Sequence, residues 1–348
     1  MKRNIIIAFL VLQIFTSCEK DIIGDDAENT PENNFELLYK AFDENYAQFE
    51  VKHINWDSLH HVYSLKINSK TTDEELWNLI SDLILNLNDG HVNVFSQSFN
   101  KSISGSPIVR NRKADDFSIE LIKEKYLSDY RIAGGGYFVY GHIKNAQTGY
   151  IYIASFASLN PGNMSAWAYD IDKALSSLAD CKNLILDVRN NGGGLIVNEH
   201  IIASAFIDKP ITYLYSRRKT GKAHKDLSDP IPVTVYPREE IMPYNKSVVL
   251  LTNRFTGSGS EYLTQISKSL PNFTQIGDTT FGAFGEVINI SELPNGWTFR
   301  YPCTLTTLPN GVCLEGIGIV PDILIRNTKI EIENSTDKQI DYAIDYLK

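Results

Sequence analysis

The sequence predicts an α/β fold: a core of strands alternating with helices, preceded by a small helical unit. Three observations predict it. From Gly149 onward, short apolar runs alternate with helix-length amphipathic stretches. Before that point, apolar residues between Phe35 and Leu87 recur at helical spacing. The composition, 43% hydrophobic and 22% charged over 348 residues, is that of an ordinary globular chain, so disorder is not the default.

The N-terminus sets the compartment. Lys2 and Arg3 precede an apolar run, Ile5 to Phe15, broken only by Gln13. The run is short for a membrane span but has the length of a secretory h-region. Cys18 follows Thr16-Ser17, a pattern resembling a lipoprotein signal. The expectation is removal of residues 1–17, lipidation of Cys18, and anchoring of the exported chain in a bacterial cell envelope. A plain signal peptide with an incidental cysteine is the alternative. Residues 18–31 are polar and acidic and read as a tether. Cys181, Cys303 and Cys313 would remain, an odd number with no zinc-ligand spacing.

Residues 32–95 form the helical unit. Phe35, Leu38, Phe42, Tyr46 and Phe49 make one apolar stripe. Trp56, Leu59, Val62 and Tyr63 suggest a second helix. Thr72 and Glu75 make a capping-box pattern ahead of a third, whose buried face is Leu76, Leu79, Ile80, Leu83 and Leu87. Asn88-Asp89-Gly90 then breaks the helix, leaving His91 in a turn before an extended Val92–Phe95. Residues 96–147 read as a connecting segment of polar turns and short apolar pieces.

Residues 148–348 form the core. Its strand candidates are 150–156, 183–188, 247–252 and 273–277. The helix candidates are 164–178, 195–207 and 260–270. Pro294-Asn295-Gly296 and Pro309-Asn310-Gly311 are turn signals of the β-hairpin kind. Residues 337–347 read as a closing amphipathic helix. The net charge of −9 argues against a nucleic-acid partner, which needs a basic face.

Four segments carry chemistry. In Thr256-Gly257-Ser258-Gly259-Ser260-Glu261, glycines flanking Ser258 permit a tight strand-to-helix turn. Such a turn exposes the hydroxyl and sets the next N–H at a helix N-terminus, where an oxyanion is favoured. Read alone, it is equally a glycine-rich loop with serine caps. Asp187 to Gly194 ends in three glycines that could hold backbone donors against a ligand, cradle a phosphate, or simply bend. Asp89-Gly90-His91 offers a base or a solvated turn residue. Glu315, in Leu314 to Asp322, offers a carboxylate to orient a histidine or a surface charge.

Taken in order, the four segments resemble the tricorn-like and C-terminal-processing serine peptidases. The stretch from Phe35 to Phe95, with Trp56 and the Leu87-Asn88-Asp89-Gly90-His91 ending, resembles that family's tricorn-type domain. Later segments resemble its catalytic core. The resemblance implies a ClpP/crotonase-like core and an acyl-enzyme mechanism without cofactor or metal. Ser258 would be the nucleophile, His91 the base and Glu315 its orienting carboxylate. Gly259 and Gly193 N–H groups would form the oxyanion hole, and Ser260 is the rival nucleophile. The family's Ser–Lys variant places lysine 25 residues after the serine; here that position is Ala283, so the Ser–His–Glu form is expected. Gly90 stands where tricorn carries serine. Residues 96–147 are too few for the PDZ module of many relatives, so peptide capture by PDZ strand addition is not carried over. The implied partners are peptide or unfolded protein segments, and a membrane through the lipid anchor. A non-catalytic binding lipoprotein on the same fold, or an esterase with the same triad, is the rival reading.

Overall fold

Thr30 starts the first helix, α1 (Pro31–Asn45). Its hydroxyl accepts the Asn33 N–H at 3.2 Å, and Pro31 occupies the position where its missing donor costs nothing. A computed structural model describes residues 28–348, apart from residues 112, 163, 288 and 289. The expected signal segment, Cys18 and tether residues up to 27 lie outside the described residues. The chain divides into two compact units. One contains the described residues up to Pro107 together with Arg217–Asp229 and Gly285–Leu305. The other contains Ile108–Ser216, Pro230–Phe284 and Thr306–Lys348.

In the first unit, α1 is followed by α2 (Trp56–Ser64) and α3 (Asp73–Leu85). The Thr72–Glu75 capping box forms at the start of α3. Phe35, Leu38, Phe42, Trp56, Leu76, Ile80, Leu83 and Leu87 are all buried in one cluster, as their spacing required. Val62 instead faces solvent, at 49% exposure. Strands β1 (Asp89–Ser96) and β2 (Lys101–Gly105) follow, paired antiparallel.

The hairpin signalled by Pro294-Asn295-Gly296 joins strands Ile290–Glu292 and Thr298–Arg300, and the second of these pairs with β1. Leu293, Trp297, Phe299 and Tyr301 are buried in the helical cluster, with Trp297 edge-on to Trp77 at 5.1 Å between ring centroids. The first unit is therefore helices plus a four-stranded sheet. It crosses the linear boundaries at 95 and 148 because the late hairpin supplies aromatic residues to this core.

The second unit is built around a seven-stranded sheet, the larger of its two sheets. Its strands are β3 (Arg131–Ala133), β4 (Phe138–His142), β5 (Thr148–Ile153), β6 (Asn183–Asp187), β7 (Val248–Thr252), β8 (Phe273–Gly277) and β9 (Ile323–Leu324). The spatial order is β9-β8-β7-β6-β5-β4-β3. The five strands from β5 to β9 run parallel, while β3 and β4 are antiparallel. Every residue of β7 is buried, the mark of a strand covered on both faces.

Alternate side chains feed two cores. Leu184, Leu186, Val248 and Leu250 pack with Trp167, Ile171, Ile202 and Leu263. These partners belong to a 3₁₀ turn (Ala166–Tyr169) and to helices α4 (Asp170–Ser177), α5 (Ile196–Ala203) and α6 (Gly259–Ser267). Ile185, Val249, Leu251 and Ile276 pack with Ile122 and with Ile340 and Ala343 of α7 (Lys338–Tyr346). Neighbouring parallel strands β6 and β7 thus end side by side. The turns that follow them, 188–194 and 253–258, meet at the carboxyl edge of the sheet, where α/β folds bind ligands.

Candidate active site

The turn after β7 is held by its own polar groups. Asn253 Oδ1 accepts the N–H groups of Asn190 (3.0 Å) and Phe255 (3.1 Å), and its amide donates to Asn190 and to Asp116. The Thr256 hydroxyl donates to the Val188 carbonyl at 2.9 Å, and Gly257 N–H to the Asn191 carbonyl at 3.0 Å. These bonds lace the two turns together.

Ser258 is forced to φ 52°, ψ −124°, a conformation that costs a non-glycine residue about 1–3 kcal/mol and persists only where surroundings impose it. It is the N-cap of α6. Gly259 takes the first helical position, where an N–H has no intrahelical acceptor. Glu261 then reaches back. Its buried carboxylate accepts the N–H groups of Ser258 (3.0 Å), Gly282 (2.6 Å) and Ala283 (2.7 Å), and the Thr280 hydroxyl (2.6 Å). Burial pushes its pKa up to about 7, against the pull of those four donors.

The glycine turn after β6 lies directly against this serine. A β-carbon on Gly193 would sit 2.5 Å from Gly259 N, 2.7 Å from Gly257 O and 2.7 Å from Ser258 Cβ. Gly193 also has φ 93°. Only glycine serves there, on both counts. Its N–H, however, donates to Asn191 Oδ1 at 2.9 Å, so the expected oxyanion donor already has an acceptor. The Gly194 nitrogen also faces the first turn of α6, 3.3 Å from where a Gly259 β-carbon would lie.

Behind the turn, Asp187 and Arg189 are fully buried with Asp337 and Gln339. Arg189 Nη1 donates to Asp337 and Gln339, while Nε and Nη2 donate to Asp187. The turn is thereby tied to the start of α7.

Glu315, 5% exposed, accepts the Phe284 N–H at 2.7 Å. The same strip of chain is clasped by the Gly316 N–H, which donates to the Gly282 carbonyl at 2.8 Å. Ala283, where a Ser–Lys enzyme would carry its lysine, is buried with its N–H on Glu261.

His91 belongs to the first unit and lies on β1, not in a turn. Asn88 takes the left-handed turn (φ 45°), and the strand begins immediately at Asp89. The β1–β2 register shifts between Asp89 and Asn93, a bulge that includes His91; bulges re-aim side chains in this way. The His91 N–H donates to Asp89 Oδ1 at 2.8 Å, and Asp89 is fixed from below by the Tyr46 hydroxyl at 2.8 Å. Burial lowers the His91 pKa below its usual 6.5. Arg300 adds to the fall, while Asp89 and a hydrogen bond to the Gly285 backbone oppose it. The ring is neutral at pH 7, as a base must be.

Sequence reading missed Glu261, although a Ser-x-x-Glu pattern at a helix start was available to find it. It also missed Asn191 and Asn253, which hold the two turns, and Glu199. The Glu199 carboxylate is fully buried beside Gly259, and Tyr213 donates to it at 3.1 Å.

Comparison with known proteins places the chain. The profile of Peptidase family S41 matches residues 147–325, just over half of it. The chain belongs to peptidase family S41. Within this S41 chain, residues 27–84 also match the Tricorn protease C1 domain. A crystal structure of a candidate peptidase from Parabacteroides merdae is 31% identical, with TM-score 0.81, over 92% of this chain and 97% of that one. A CtpA-like serine protease of Staphylococcus epidermidis is 25% identical over 249 residues, 69% of this chain and 48% of its own length. The carboxy-terminal processing protease CtpA of Bacillus subtilis is 28% identical over 187 residues, 53% of this chain and 36% of its own. The S41 chain thus spans about half or less of the length of these curated relatives. The α/β core and the helical N-terminal region are those of the family.

Proposed function

We propose that the chain is a serine endopeptidase that cleaves peptides or unfolded protein segments through an acyl-enzyme on Ser258. The observation that carries this reading is the Ser258 turn: a strained serine at a helix N-cap, with the Gly193 backbone so close that a β-carbon there would lie 2.5–2.7 Å from the turn. Such a turn places the serine at a helix N-terminus and sets N–H donors where a tetrahedral oxyanion develops. Ser258 attacks the scissile carbonyl carbon. His91, neutral at pH 7, takes the hydroxyl proton and then passes it to the leaving amine. Glu315 orients the imidazole and offsets its charge while it is protonated.

Gly259 N–H is the first oxyanion donor. Gly193 serves as the second when its N–H leaves Asn191 for the oxyanion. Ala283 in place of lysine supports the Ser–His–Glu form over the dyad. The lysine- and arginine-led apolar segment before Cys18 supports an exported, lipid-anchored enzyme in the cell envelope.

The test is hydrolysis of an unfolded protein substrate by the chain begun just after Cys18, with Ser258→Ala and His91→Ala beside it. Each folded variant is expected to lose about 10⁴–10⁶ in turnover. Undiminished hydrolysis by folded Ser258→Ala sinks the proposal.

A further inference from the structure

Away from the serine turn, the second unit gathers four side chains of a different kind. His142 ends β4. Asp129 lies in the loop before β3, and Asp180 and Cys181 lie just ahead of β6. The imidazole is gripped at both nitrogens. Nδ1 is 2.9 Å from Asp129 Oδ1, and Nε2 is 3.2 Å from Asp180 Oδ1. Cys181 Sγ is 4.0 Å from the same Asp180 oxygen. The ligand atoms of His142, Asp180 and Cys181 all lie within 4.8 Å of one another.

We propose that His142 Nε2, Asp180 Oδ1 and Cys181 Sγ form a three-ligand zinc(II) site, with Asp129 as the carboxylate that orients the histidine. Three observations carry it. The first is spacing. Zinc bonds of about 2.0–2.1 Å to nitrogen and oxygen and about 2.3 Å to sulfur, at tetrahedral angles, put N and O about 3.3 Å apart and S and O about 3.6 Å apart. The observed N–O separation of 3.2 Å matches, the S–O separation is 4.0 Å, and all three atoms lie within 4.8 Å of one another.

The second is the arrangement behind the ligand. A zinc-bound histidine nearly always donates its other ring N–H to a carboxylate or carbonyl. Asp129 stands at that place on Nδ1, leaving the Nε2 lone pair toward Asp180 and Cys181. Without metal, a proton on Nε2 bridges the gap to Asp180; zinc takes the place of that proton.

The third is donor chemistry and charge. An imidazole, a carboxylate and a thiol suit borderline-soft zinc rather than calcium or magnesium. Cys181 is a buried free thiol in the metal-free protein. Coordination deprotonates the thiol and releases that proton to solvent. Lys246 brings one positive charge nearby, but its ammonium is engaged by the Ala179 and Cys181 carbonyls at 2.8 and 2.6 Å. Two carboxylates and the thiolate outweigh it. Asp180, 77% exposed in its side chain, leaves the fourth position open to water. His142 pairs with Gly149 of β5, and β5 with β6. The metal would clip three strands at one edge of the sheet.

The experiment titrates the chain begun just after Cys18 with zinc(II) alone, against a chromophoric chelator, and repeats the titration with cobalt(II). One zinc per chain is expected, with a thiolate-to-cobalt charge-transfer band in the cobalt form. Asp180→Asn, at an exposed position that does not threaten folding, and Cys181→Ala should each weaken zinc at least about 100-fold. Asp129→Asn should weaken it about 10- to 100-fold. Cys303→Ser and Cys313→Ser should leave it unchanged. No zinc binding, or affinity unmoved by Asp180→Asn and Cys181→Ala, overturns the site and leaves an imidazolium held between two carboxylates. A cobalt–thiolate band that survives Cys181→Ala overturns it as well.

Discussion

Replacing Gly193 with alanine tests whether the glycine turn fixes the geometry around Ser258. The added methyl would begin at 2.5 Å from Gly259 N, about 0.9 Å short of the 3.4 Å at which contact becomes ordinary. Two of its three neighbours are backbone, so no flexible side chain can yield. Alanine at φ 93° costs about 1–2 kcal/mol, and overpacking a tight site typically about 1–3 kcal/mol more. A total of roughly 2–5 kcal/mol lies within a typical stability of about 5–15 kcal/mol, so a weakened fold survives.

Relief comes only if the two turns part by most of an ångström. A displacement of that size at an oxyanion site costs about 10²-fold in rate. Gly192→Ala is the matched control, since nothing lies within 4 Å of its β-carbon position. It should change stability by less than about 0.5 kcal/mol. The assay is the rate of labelling by a fluorophosphonate probe, with thermal melting alongside. Wild-type labelling and melting in Gly193→Ala would refute the packing argument.

Other outcomes follow from the same geometry. Asp337→Ala removes one of the two carboxylates that hold buried Arg189, leaving Asp187, and should cost about 1–3 kcal/mol in denaturant unfolding. Glu261 is an acid raised from 4.5 to about 7 in the fold, so its contribution to stability is present below pH 4.5 and is lost as pH rises through 7. Wild type should therefore lose roughly 3 kcal/mol across that window relative to Glu261→Gln, read by unfolding at fixed pH values. Labelling by the probe should fall on the acid side with a His91 midpoint below 6.5. A midpoint above 6.5 would contradict the partly buried, neutral base. Trp297→Ala should cost about 3–5 kcal/mol, because the late hairpin completes the helical core.

Much of the fold was legible where local chemistry decides it. The Thr72–Glu75 box, the alternation of strands and helices from Gly149, and the Pro294-Asn295-Gly296 turn each depend on neighbours in the chain. The glycine-flanked serine was legible for the same reason. What was not legible depends on distant partners. His91 lies on a bulged strand because β2 pairs with β1 out of register, and no residue near His91 encodes that shift. Trp297 and Phe299 join the helical core from 200 residues away, so linear boundaries at 95 and 148 could not capture the units. The acceptor already on the Gly193 N–H depends on where the Asn191 side chain points, which the sequence does not encode. Cys181 offered no ligand spacing with other cysteines; only the fold brings it to His142.

The central claim, that Ser258 is the nucleophile, is tested most directly by locating the adduct. The chain begun after Cys18 is labelled with a fluorophosphonate, digested, and the modified peptide sequenced by mass spectrometry. The account predicts one adduct, on Ser258, absent from folded Ser258→Ala. An adduct on Ser260 or elsewhere, or none on folded wild type at probe concentrations that label other serine peptidases, would contradict it.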